Sequence, residues 1–101
     1  MEEIIFQLIT FSGEAKSYML EGIQDAKAGN IEEAKAKVEK AIAQLNQAHR
    51  FQTELIQKEA AGEEAIVSLL LIHAQDHLMN AILLKDLANE IIDIHAAIQA
   101  K

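Results

Sequence analysis

The sequence predicts an all-α protein, an up-down-up three-helix bundle. Three observations carry that reading. There is no proline in 101 residues, apolar residues recur at steps of three and four, and two glycine-containing breaks divide the pattern. Half of the residues are apolar but only 4% are aromatic, so the core must be built from Ile, Leu, Val and Ala. That composition offers little of the β-branched and aromatic alternation that strands prefer.

The first helix is expected over about residues 3–28, with Ile4, Leu8, Phe11, Ala15, Met19, Gly22, Ile23 and Ala26 on its apolar stripe. Gly29 supplies a stop that tolerates positive φ. Asn30 follows as an N-cap, and Glu33 three residues later completes a variant of the capping box. The second helix spans about 31–58, with Ile31, Ala34, Val38, Ala41, Ile42, Leu45, Ala48, Phe51 and Leu55 inward. Its charged run Glu32 to Lys40 is a solvated face with i,i+4 pairs. Gly62 marks the second stop. Glu63 and Glu64 place negative charge where a helix start favours it, so the third helix is expected over about 63–99. Short connections imply antiparallel neighbours. At ~1.5 Å per residue the third helix, about 55 Å long, should overhang the other two at about 40 Å.

At this length, residues 1–101 are expected to form a single domain. There is no Cys, hence no disulfide and no thiolate metal site, which fits a cytoplasmic protein. Residues 1–12 carry no positive n-region or long apolar run, so no signal peptide is expected. No stretch approaches the ~20 apolar residues of a membrane span, so no membrane insertion is expected. The net charge of −7 excludes nucleic acid as a partner, because a phosphate backbone needs a basic face.

The third helix is apolar on two sides. One stripe holds Ile66, Leu69, Leu70, His73, Asp76, His77, Asn80, Leu84, Leu87, Ile91, Ile94 and Ile98; the other side carries Leu71, Leu78 and Ile82. One face packs on the first two helices, and the second calls for a partner, most simply a second copy of this chain. In a monomer, Leu71, Leu78 and Ile82 would be scattered surface residues.

Into the first stripe falls His73-Ala74-Gln75-Asp76-His77. His73, His77 and Asn80 share roughly 60° of the helix, with Asp76 at one edge. Ionisable groups in an apolar stripe persist only when paired, hydrogen-bonded or bound to a ligand. Four chemistries are open. The cluster can be structural. His-x-x-x-His can hold a metal, although Ala74 stands where a zinc protease has its glutamate. Asp76 can meet its own copies about a symmetry axis and require a cation or protons there. Finally, an imidazole can accept and pass on a phosphoryl group, with the second imidazole donating to the phosphoryl oxygens.

The run Ile72-His73-Ala74-Gln75-Asp76-His77-Leu78-Met79, within Val67 to Leu84, resembles the signature of the lactose/cellobiose family of enzymes IIA of the bacterial sugar phosphotransferase system. Leu45-Asn46-Gln47-Ala48-His49 with Gln52-Thr53-Glu54-Leu55-Ile56 is similar to the family's second helix, and Ser12-Gly13-Glu14-Ala15-Lys16-Ser17 to its first. The resemblance implies a homotrimer packed through the third helices. It implies His73 as phosphoryl acceptor and Asp76 near the threefold axis as ligand to a divalent cation, Mg2+. It further implies HPr as phosphoryl donor and a cysteine of enzyme IIB as acceptor, during uptake of a β-linked disaccharide of the lactose, cellobiose or chitobiose type. His73 is then expected in a shallow crevice, because transfer between proteins needs a reachable nitrogen.

His77, Gln75 and Asn80 are candidates for positioning, in that order, although Gln75 points about 160° away from its neighbours in the cluster. Lys16 can lend positive charge from the first helix, but reads most simply as a solvated lysine. His49, read as a half-buried edge residue, and His95, in exposed last turns, receive no role. The competing functions are a non-catalytic helical oligomerisation module and a metal-binding module.

Overall fold

The computed structural model describes residues 2–63 and 67–101, which form three helices: α1 over Glu2–Lys27, α2 over Ile31–Ala60 and α3 over Leu69–Gln99. They build an elongated up-down-up bundle of 57 × 20 × 15 Å. Among the described residues there is no strand, as the pattern predicts.

Both glycine stops act as expected. Gly29 and Gly62 adopt φ of 88° and 90°, a conformation that costs glycine nothing. Each closes a Schellman motif: Asn30 N–H donates to the Asp25 carbonyl at 2.8 Å, and Glu63 N–H to that of Lys58 at 3.1 Å. Asn30 takes the N-cap position of α2, but its side chain makes no capping bond. The expected capping box is therefore not formed: with ψ at 70° the residue is not in the extended conformation that swings a cap side chain over the first turn.

The start of α3 differs from expectation. The helix begins at Leu69, six residues after Glu63, and Glu64 to Ile66 lie outside the described residues. Ser68 sets the boundary. It is extended, its carbonyl accepts from Ile72 N–H at 3.1 Å, and its hydroxyl accepts from Leu71 N–H at 3.1 Å. A hydroxyl that satisfies an orphan amide outweighs acidic residues that only improve the field at a helix start. As a result α3, at 31 residues, exceeds α2 at 30 by only one residue and α1 at 26 by five, so the expected length difference is much reduced.

The core follows the expected stripes on α1 and α2. Ile4, Leu8, Ala15, Met19 and Ala26 meet Ala34, Val38, Ala41, Leu45, Ala48 and Leu55, all buried. Gly22 lets the two backbones approach: a Cβ there would stand 3.1 Å from the Ala34 carbonyl oxygen. Phe11 stacks on Phe51 at 5.8 Å, Lys40 lies over Tyr18, and Lys37 pairs with Asp25 at 3.2 Å. These pairs mark the flank of α1 that faces α2.

On α3 the assignment of faces reverses. The side carrying Leu71, Leu78 and Ile82 packs on the core: Ala74, Leu78, Ala81, Ala88 and Ile92 are buried, and Leu71 and Ile82 are packed against them. The longer stripe lies at the edge or outside. Leu69, Leu87, Ile94 and Ile98 are 50–83% exposed, as are Ile72, Met79 and Leu83 beside them. Alanines at 74, 81 and 88 decide this. They allow close helix approach, and a pattern read only through large apolar residues passes over them.

Candidate functional site

Ser68 fixes where α3 starts, and the first full turn after it delivers His73. Ala74 and Leu78 are anchored in the core, so the residues between them are held at fixed angles around the helix. Gln75 falls on the flank towards α2, where it accepts a hydrogen bond from Gln52 Nε2 at 3.0 Å. His73 and His77 fall on the opposite flank, roughly 160° away, beside α1. Asp76 lies nearly opposite the core, between Ile72, Met79 and Leu83 on the exposed apolar stripe.

The two imidazoles are in contact. Their Nε2 atoms are 3.0 Å apart, and the rings meet edge to face with centroids at 4.4 Å. His73 is exposed, whereas His77 is partly buried and its Nδ1 is sealed from solvent without a partner. That asymmetry selects a tautomer. A proton on Nδ1 of His77 would be a buried donor with no acceptor, at a cost of about 1–3 kcal/mol. A proton on Nε2 instead donates to Nε2 of His73. His73 then carries its own proton on Nδ1, and the lone pair of its Nε2 accepts the bond from His77.

Electrostatics reinforce this. Burial lowers the pKa of His77, the nearby charge of Lys16 and then His73 lower it further, and Asp76 partly opposes them. The second imidazole is thereby kept neutral beside the first.

The structure brings His73 and His77 together and places Gln75 apart from both. Asn80, also exposed, lies on the same side as the imidazoles. His49 is exposed rather than half-buried, and His95 is partly buried rather than exposed. Lys16 is partly buried as well. Gln52, which holds Gln75, was not singled out from sequence; its signal was its place in the run shared with the family's second helix. The ionisable cluster is also less buried than its apolar context suggests. In one chain, the apolar groups around Asp76 are the ones left in water.

Among the described residues no three His, Cys, Asp or Glu side chains converge as a metal site within the chain. No described helix is long and apolar enough to cross a membrane. An open groove beside His73 is lined by Leu69 and Leu70.

A helical bundle that presents an exposed imidazole backed by a second one offers its ring on an open surface rather than inside an enclosed cleft. The family described as "PTS system, Lactose/Cellobiose specific IIA subunit" matches residues 3–96. The lichenan-specific phosphotransferase enzyme IIA component of Bacillus subtilis is 51% identical over 97% of this chain and 89% of its own length. The crystal structure of the cellobiose-specific enzyme IIA from Bacillus anthracis superposes with a TM-score of 0.97 at 55% identity, covering 99% of this chain and 92% of that one. A chitobiose IIA, solved in solution in its complex with HPr from Escherichia coli, superposes with a TM-score of 0.84 at 39% identity, over 97% and 95% of the two chains. The chain belongs to the lactose/cellobiose-specific IIA family of the sugar phosphotransferase system.

Proposed function

We propose that this protein carries a phosphoryl group on His73, taking it from phospho-HPr and passing it to a cysteine of enzyme IIB during uptake of a β-linked disaccharide. The observation that carries the reading is the pair of Nε2 atoms 3.0 Å apart, with His73 open to solvent. The lone pair of His73 Nε2 attacks the phosphorus of the donor's phosphohistidine. The new N–P bond forms as the donor's N–P bond breaks, and the electron pair returns to the donor imidazole. In the second transfer a thiolate sulfur attacks the same phosphorus, and the pair returns to His73 Nε2. A loose phosphoryl transition state asks for alignment and charge stabilisation more than for acid–base work. His77 supplies the first of these: its Nε2–H, freed when the lone pair of His73 is used, turns to a phosphoryl oxygen. Leu69 and Leu70 offer an apolar shelf beside His73 for the partner protein. Support for HPr as the donor comes from the chitobiose IIA relative solved with HPr. The relatives are named for lichenan, cellobiose and chitobiose, which supports a β-linked sugar.

The exposed stripe of α3 is best covered by copies of itself in a homotrimer, since a helix apolar on two sides is normally buried on two sides. Asp76 then meets its equivalents. One carboxylate per chain makes no cation site, but several brought together offer hard oxygen ligands of the kind Mg2+ takes. Held by Asp76 and its equivalents, such an ion would offset carboxylate repulsion.

The test is direct. Mixing with phosphorylated HPr should give an acid-labile phosphoprotein, and His73→Ala should take up no label. Undiminished labelling of that variant would refute the assignment.

A further inference from the structure

We infer that Lys16 is an anion-binding residue of this site, which holds the phosphoryl group on His73 by its charge. The inference rests on the phosphocarrier reading and adds a residue from a different helix. Phe11, Tyr18 and Asp25 mark the flank of α1 that touches α2, through Phe51, Lys40 and Lys37. Lys16 stands roughly 140–180° round from them, on the flank left for α3. There it shares roughly 40° of the helix with Ile5, Ser12 and Ile23, which are buried in or packed against the core. On α3, Gln75 marks the side bound to α2, and His73 and His77 occupy the other. The ammonium and the imidazole pair therefore belong to facing flanks of α1 and α3.

Lys16 is half-buried, and among the described residues no carboxylate lies within ion-pair distance of it. A cation left without a counter-ion beside the imidazole pair suits an anion that comes and goes. Its charge is already felt at His77, whose Nε2 is 3.0 Å from that of His73. In the loaded protein the phosphoryl dianion becomes its partner. Lys16 touches no atom that changes bonds within this chain; it sets how strongly the phosphoryl group is held.

The experiment uses the full chain with phospho-HPr and HPr at fixed ratio. It reads the phosphorylated fraction of wild type, Lys16→Met and Lys16→Arg, and the second ionisation of the phosphohistidine by 31P NMR. Lys16→Met keeps the stem and the helix propensity. It should shift the equilibrium about tenfold towards the unphosphorylated form, the low end for a hydrogen bond to a charged group, and raise the phosphoryl ionisation. Lys16→Arg should restore both. High salt should lower phosphorylation of the wild type more than that of Lys16→Met. Equal equilibria and ionisations in folded wild type and Lys16→Met would overturn the role of Lys16 while leaving the carrier reading intact. A wild type that takes no label would overturn both. Should Lys16→Met not fold, the salt response of wild type against Lys16→Arg and the wild-type phosphoryl ionisation decide: an ionisation equal to that of free phosphohistidine rejects the inference.

Discussion

The Nε2 atoms of His73 and His77 face each other at 3.0 Å, one turn apart on α3. The sealed, unpartnered Nδ1 of His77 disfavours a proton there and so favours His77 as the donor. This relationship predicts unequal roles for two chemically identical side chains. His77→Gln retains a donor of different reach and should still accept phosphoryl label, at a rate lowered about 10- to 100-fold by loss of positioning. His73→Gln should accept none. Rapid-quench labelling from phospho-HPr separates the two.

The lowered pKa of His77 has a consequence for stability. Because its folded value lies below the ordinary 6.5, the unfolded chain binds more protons in the window just under that value. Stability therefore rises with pH through this window and falls on acidification. Denaturant titrations at pH 7.5 and 5.5 should show a larger loss for wild type than for His77→Gln. An equal loss in both would show that burial of His77 carries no such penalty.

Asp76 interrupts an exposed apolar stripe on α3. If copies meet there, Asp76→Leu exchanges repelling carboxylates for apolar contact and should tighten assembly, since apolar replacements of buried charges are often stabilising by about 1–4 kcal/mol. Sedimentation at graded concentration, with and without a chelator, checks this. The wild type should respond to chelation and the variant should not. A variant that dissociates more readily than wild type would place Asp76 away from the axis.

Two glycines of α1 should behave oppositely. A Cβ at Gly13 meets nothing within 4 Å, so Gly13→Ala should stabilise by up to about 1 kcal/mol through helix propensity. At Gly22 a side chain runs into the Ala34 carbonyl and Lys37, and Gly22→Leu should destabilise by about 1–3 kcal/mol or more. Thermal unfolding of the pair measures both.

Ser68→Ala removes the hydroxyl that accepts from Leu71 N–H and should cost about 1 kcal/mol. Amide exchange should rise chiefly in the turn that leads to His73. Uniform exchange changes along α3 would argue against a local cap.

Much of this protein was legible in its sequence. Glycine stops and a 3.6-residue period determine three helices, because both act through local backbone geometry and one-sided burial. The stripes of α1 and α2, including Leu8, Ala15, Leu45 and Ala48, could be read for the same reason. His73 and His77 stood out as ionisable groups at helical spacing in an apolar run. What only the tertiary structure decided were questions of orientation and contact. A helix apolar on two sides does not declare which side is inner. The small residues Ala74, Ala81 and Ala88 settled that through close approach to α1 and α2, and so turned Asp76 outwards. Neither the bond between Gln52 and Gln75 nor the placing of Lys16 on the flank beside α3 follows from spacing along one chain, because each depends on how two distant helices are rotated against each other.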